Sequence, residues 1–101
     1  MLFVFMGIDR PGQAEVRAEK RAAHRAYLSE VAGRVAFAGP LIGDDGKSVQ
    51  GSLLVLEFPT REAAEAWLNQ EPYTVAGVYD RIQISAFENR WPQRAGFPAA
   101  T

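Results

Sequence analysis

The sequence predicts an α+β domain of order β-α-β-β-α-β, the ferredoxin-like arrangement, with a four-stranded antiparallel sheet and two helices on one face. Three observations predict it. Runs of β-forming residues recur at residues 2–6, 34–38, 52–58 and 81–87. Two segments between them, 14–31 and 61–69, switch to helical spacing. Glycine, proline and aspartate punctuate the joins.

The first strand, Leu2-Phe3-Val4-Phe5-Met6, is stopped by Asp9, Pro11 and Gly12. In the first helix Val16, Ala23, Tyr27 and Val31 share one face, and Gly33 is expected to end it as a left-handed cap. The second strand is expected to close at Gly39-Pro40. Gly43-Asp44-Asp45-Gly46 supplies hairpin turn chemistry and does not fit a calcium loop. Thr60 caps the second helix, Glu62 sits in its positive first turn, and Ala63, Ala64, Trp67 and Leu68 form its buried stripe. Glu71-Pro72-Tyr73 is expected to break that helix. In the last strand Ile82 and Ile84 alternate with Arg81, Gln83 and Ser85. Residues 1–90 read as one domain. Residues 91–101 read as an irregular tail, loose or draped over a partner.

The chain has 101 residues, 48% hydrophobic and 23% charged, which allows one modest core. Lys plus Arg is 11 and Asp plus Glu is 12, so a net charge of −1 leaves no footprint for a nucleic acid. No cysteine is present, which removes disulfides, thiolate metal sites and cysteine nucleophiles and fits a cytoplasmic protein. With a single histidine as well, neither a metal site nor a resident cofactor is expected. The apolar start, 2–8, is too short to cross a membrane. In this topology strands one and three are central, and here both are apolar on both faces. The helices cover one face only, so the open face is expected to bind a second copy of the sheet in a homodimer.

Several residues are candidates for chemistry. His24, the only histidine, lies on or beside the apolar face of the first helix and suits proton transfer near neutral pH; the alternative is a half-buried histidine bonded to a backbone carbonyl. Arg17, Arg21 and Arg25 form a stripe at four-residue spacing. It reads as a solvated face, except that Arg21, one turn before His24, is a candidate anion clamp. Glu71 can approach His24 from the end of the second helix and fix its tautomer; the alternative is an exposed helix-end glutamate. Tyr73 and Tyr79 are candidate donors to a developing oxyanion, against a plain core role. Ser52 opens the third strand without a nucleophile elbow around it.

Taken in order, Arg21-Ala22-Ala23-His24, Gly39-Pro40-Leu41, Gly51-Ser52, Glu71-Pro72-Tyr73 and Ala76-Gly77-Val78-Tyr79 resemble the YciI-like (YCII-related) proteins, with spacing that holds from Met1 to about Phe87. The resemblance implies a dimeric α+β barrel and a histidine–aspartate active site, with the histidine at His24 and Glu71 standing where the family usually has aspartate. A few relatives act on substituted hydroxyquinones or similar aromatics. The expected function is a small cofactor-independent enzyme doing acid–base elimination or isomerisation on an anionic or phenolic metabolite. His24 would be the acid or base, Glu71 its orienter, and Arg21, Tyr73 and Ser52 would bind substrate in a pocket lined by aromatics. The competing readings are a non-catalytic ligand-binding or assembly module and, more remotely, haem handling through the lone histidine.

Overall fold

A computed structural model describes residues 1–92; the tail expected from 91 therefore lies outside the described residues, except for Trp91 and Pro92, which have no regular structure. The elements are β1 (Leu2–Asp9), α1 (Ala14–Ser29), a 3-10 turn (Ala32–Arg34), β2 (Val35–Ile42), β3 (Val49–Glu57), α2 (Arg61–Asn69), a one-turn α3 (Pro72–Val75) and β4 (Tyr79–Phe87). They form one antiparallel sheet in the order β2-β3-β1-β4, with β1 and β3 central, the ferredoxin-like arrangement.

The core lies on the helix side of the sheet. Phe3 and Phe5 of β1, Leu54 and Leu56 of β3, and Phe58 meet Ala64, Trp67 and Leu68 of α2. Trp67 joins the layers, with ring centroids 5.8 Å from Phe5 and 5.0 Å from Tyr27. The Tyr27 hydroxyl of α1 donates to the Trp67 carbonyl at 2.7 Å, so the two helices are tied as well as packed. Thr60 caps α2 by accepting from the Ala63 N–H at 3.1 Å. On the open face Val4 pairs with Val55, and Met6 with Leu53.

Several boundaries and one helix face differ from the sequence expectation. Helix α1 ends at Ser29, and Gly33 lies inside the 3-10 turn without positive φ. The end tightens instead: the Val31 N–H reaches the Leu28 carbonyl at 3.0 Å, which needs no left-handed residue. Ala23 is exposed, and Leu28 packs against the core beside Tyr27 and Val31. Strand β2 runs through Gly39-Pro40 to Ile42, which the sheet tolerates because β2 is an edge strand. Glu71 does not merely end α2; it caps α3, with Pro72 in that helix's first turn.

Two glycines allow close approach, one of a ring and one of backbone. A Cβ on Gly7 would lie 2.6 Å from the Tyr79 ring, and one on Gly51 would lie 2.1 Å from the Gly7 carbonyl oxygen. The second clash is against backbone, which cannot swing away. Gly51→Ala is expected to destabilise the fold by about 3 kcal/mol. Gly33→Ala, which meets nothing within 4 Å, is the near-neutral control in the same denaturant titration.

Candidate functional site

The site starts from the cap of α3. The first N–H groups of a helix have no partner inside it and take an acceptor from the preceding residue. Glu71 supplies both carboxylate oxygens. Oε1 accepts from the Tyr73 N–H at 3.0 Å, and Oε2 accepts from the Thr74 N–H at 3.0 Å and the Thr74 hydroxyl at 3.1 Å. Oε1 also meets His24 Nδ1 from α1 in a short hydrogen bond. Glu71 is fully buried, not the exposed helix-end residue that was the alternative.

Burial alone would push the Glu71 carboxyl up, but hydrogen bonds from His24, Tyr73 and Thr74 outweigh it and hold the acid below its ordinary range. An ionised carboxylate only accepts, so the proton of this bond sits on His24 Nδ1, and the uncharged form of the ring carries its lone pair on Nε2. The imidazole stacks on the Tyr73 ring at 4.1 Å and 16°. The Tyr73 hydroxyl donates to the Arg17 carbonyl at 3.4 Å, so Tyr73 offers the site its ring.

A second cluster lies toward the start of α1. Arg17 grips Asp9 with two bonds, Nε to Oδ2 at 2.6 Å and Nη2 to Oδ1 at 2.8 Å. Its Nη2 also reaches the Ser52 hydroxyl at 2.9 Å, and the Tyr79 hydroxyl reaches the same oxygen at 2.9 Å. Burial opposes the Arg17 charge, but Asp9 outweighs it and keeps the guanidinium protonated. Burial pushes the Tyr79 phenol up to about 12, so it stays a neutral donor.

Both clusters border one open cleft of about 1180 Å³ between α1 and the β2–β3 hairpin. His24, Ser52, Tyr73, Arg21, Arg25 and Lys47 are among its lining residues. Of the residues the sequence singled out, His24, Glu71 and Tyr73 come together, and Ser52 lies in the cleft with Arg17. Arg21 lines the cleft but makes no hydrogen bond or ion pair among the described residues. The expected aromatic lining is absent: Tyr73 is its sole aromatic among the described residues, because Phe5, Phe58 and Trp67 are spent in the core under α2. Sequence reasoning missed Asp9 and undervalued Arg17. The available signal was the seven-residue step from Arg17 to His24, which returns nearly to the same side of a helix. No cluster of three or more metal-ligating side chains occurs among the described residues, and none of their helices is long and apolar enough to cross a membrane.

These features define a small ferredoxin-like domain with a half-buried histidine on a buried carboxylate beside a cation-edged cleft. The chain belongs to the YCII-related domain family, whose model matches residues 1–88. It is 35% identical over 95 residues to protein YciI of Escherichia coli O6:H1, a match covering 87% of this chain and 97% of that protein. Among solved structures it is similar to the 5-chloro-2-hydroxyhydroquinone dehydrochlorinase TftG of Burkholderia phenoliruptrix, in complex with 2,5-dihydroxybenzoquinone, at TM-score 0.81 and 30% identity over 87% of this chain and 94% of that one. A putative antibiotic biosynthesis monooxygenase of Nitrosomonas europaea shares the fold at TM-score 0.53 and 16% identity, covering 89% of this chain and 98% of that one.

The lowered Glu71 pKa has a sign for stability. Its free value is 4.5 and its folded value lies below that, so the stabilisation is fully present above about pH 4.5 and is lost as pH falls through the folded value. Glu71→Gln is expected to flatten this acid limb and to lower stability at neutral pH by about 2 kcal/mol. Chemical denaturation at a series of pH values checks it; an unchanged limb would show that the carboxylate is not held as described.

Proposed function

We propose that this chain is a small acid–base enzyme acting on an anionic or phenolic metabolite bound in the cleft. The observation that carries the reading is the buried Glu71 carboxylate on His24 Nδ1, which leaves Nε2 as the basic nitrogen at the cleft. Nε2 takes a proton from a substrate hydroxyl, and Glu71 stabilises the imidazolium that forms. In an elimination the substrate then loses an anion along with that proton; in an isomerisation His24 returns the proton elsewhere. Electrons balance in both without an oxidant.

Arg21, with Arg25 and Lys47, attracts the anion, and Ser52 and the Tyr73 ring bound the bound molecule. The similarity to TftG, a dehydrochlorinase of a chlorinated hydroquinone, supports this substrate class. We assign the enzyme to the cytoplasm, since a cysteine-free chain draws nothing from an oxidising compartment. We also assign it a homodimer through the open sheet face, where Leu2, Val4, Met6, Leu53 and Val55 are apolar on the two central strands.

The test uses 5-chloro-2-hydroxyhydroquinone as substrate and chloride release as the readout. The wild type is expected to turn over, and His24→Ala to lose at least about a hundredfold in rate. Equal rates in the two proteins would end the acid–base assignment. Binding of 2,5-dihydroxybenzoquinone without turnover would favour a ligand-binding module instead. Met6, 40% exposed at the middle of the open face, tests the dimer. Met6→Glu is expected to halve the sedimentation mass while circular dichroism is unchanged, and a monomeric wild type would refute the pairing.

A further inference from the structure

Ser52 is a hydroxyl whose hydrogen-bonding roles can be counted. A serine hydroxyl has one proton to give and two lone pairs to accept with. Arg17 Nη2 lies 2.9 Å from the Ser52 oxygen and can only donate. The Tyr79 hydroxyl, also 2.9 Å away, must donate too: the residue is buried, at 9% exposure, and Ser52 is the one acceptor its hydroxyl has among the described residues. If Ser52 gave its proton to Tyr79, the buried phenolic proton would have no partner, a loss of a whole hydrogen bond. Both lone pairs of Ser52 are thus filled from within the protein.

The remaining proton has no acceptor among the described residues, although Ser52 is only 4% exposed. Ser52 borders two spaces. One is a void of about 10 Å³ walled by Phe5, Gly7, Leu54, Leu68, Tyr79 and Ile82, none of which accepts a hydrogen bond from Ser52. The other is the cleft. Pro40, opposite Ser52 in the register, also lines the cleft and brings no N–H of its own.

We propose that Ser52 is a dedicated hydrogen-bond donor that receives a carbonyl or enolate oxygen of the ligand, and that Arg17 and Tyr79 are positioning residues that commit it to that role. The proposal rests on the cleft being the ligand site and names what the ligand must present there. Arg17 acts through geometry, since Asp9 neutralises its charge with two bonds. Gly7 belongs to the same device. It pairs with Ser52 across the sheet, and its missing Cβ is the room in which the Tyr79 ring lies, 2.6 Å from where that atom would be. A hydroxyl whose acceptor sites are already filled selects for an acceptor and against a donor: a ligand presenting an O–H at this point would leave two protons facing each other.

Neutron diffraction from perdeuterated protein decides the donor assignment without any ligand. The expected map puts the Tyr79 deuteron on the line to Ser52 and the Ser52 deuteron toward the cleft. A Ser52 deuteron on the line to Tyr79 overturns the proposal. Binding of 2,5-dihydroxybenzoquinone, with the infrared carbonyl band of the bound molecule, supplies the second arm. Ser52→Ala is expected to weaken binding about tenfold and to raise the carbonyl frequency. Tyr79→Phe, which frees one Ser52 lone pair, is expected to lower stability and to give a carbonyl band between those of the wild type and Ser52→Ala; a wild-type band would show that Tyr79 does not position Ser52. An unshifted band in Ser52→Ala overturns the proposal even if that variant is less stable. A wild type that does not bind this quinone counts against the substrate class proposed above, while the deuteron position still decides the role of Ser52.

Discussion

A buried carboxylate has to be answered by donors, and the site is built around that requirement. An ion without partners inside a protein is destabilising by several kcal/mol. Glu71 is fully buried and receives hydrogen bonds from two backbone N–H groups, one hydroxyl and one imidazole. The backbone donors are free only because α3 begins there, so the helix start and the charge require each other. Pro72 fits in that first turn because its missing N–H is no loss. With α3 fixed, the Tyr73 ring lies against His24 and its hydroxyl reaches the backbone of α1. The same carboxylate therefore sets the short helix, the histidine tautomer and the seat of α1 on α3.

The arginines of α1 divide by angle. At 3.6 residues per turn, Arg17 and His24 lie roughly 20° apart around the helix, while Arg21 and Arg25 swing outward by roughly 40° per step. The chain places Arg17 inward, where Asp9 at the end of β1 and Ser52 on β3 meet it. Arg21 and Arg25 stay exposed at the rim. A stripe at four-residue spacing looks uniform in sequence, yet its first member is a half-buried cation paired with Asp9 and the others are exposed.

How much was legible follows from this. The element order and the two-faced central strands are properties of local pattern, and the sheet order with β1 and β3 central agrees with them. His24 and Glu71 were separated by 47 residues, and their meeting depended on two helices sharing one face of the sheet. The Asp9–Arg17–Ser52–Tyr79 cluster was not legible, because it joins β1, α1, β3 and β4 through side chains that each read as ordinary alone: a strand stop, a solvated arginine, a strand opener and a core tyrosine. Gly7 and Gly51 lay just outside the strands expected at 2–6 and 52–58, and their role was not legible because what forbids a side chain there is a ring or a carbonyl from another strand. The aromatic-lined pocket failed for a related reason. Counting aromatics does not say which layer takes them, and here Trp67 gathers Phe5, Tyr27 and Phe58 around α2.

A net charge of −1 does not conflict with the anionic ligand proposed for the cleft, because the relevant charge is local. Arg21, Arg25 and Lys47 line the cleft without a salt bridge among the described residues, whereas Arg17 is matched by Asp9. The rim cations therefore act over roughly a Debye length, about 8 Å at physiological salt, and draw in an anion with little regard to its shape. Arg17 contributes almost nothing at that range, since its field is cancelled by its partner; its influence is confined to the hydroxyl it touches. Attraction and orientation are thus assigned to different cations of one helix. A ligand that carries charge but no acceptor oxygen satisfies only the rim, and one that carries an acceptor without charge satisfies only Ser52. On the function proposed above, the molecule that meets both, and has a proton to give to His24, is an ionised hydroxy-carbonyl compound, which is the chemical character of a hydroxyquinone.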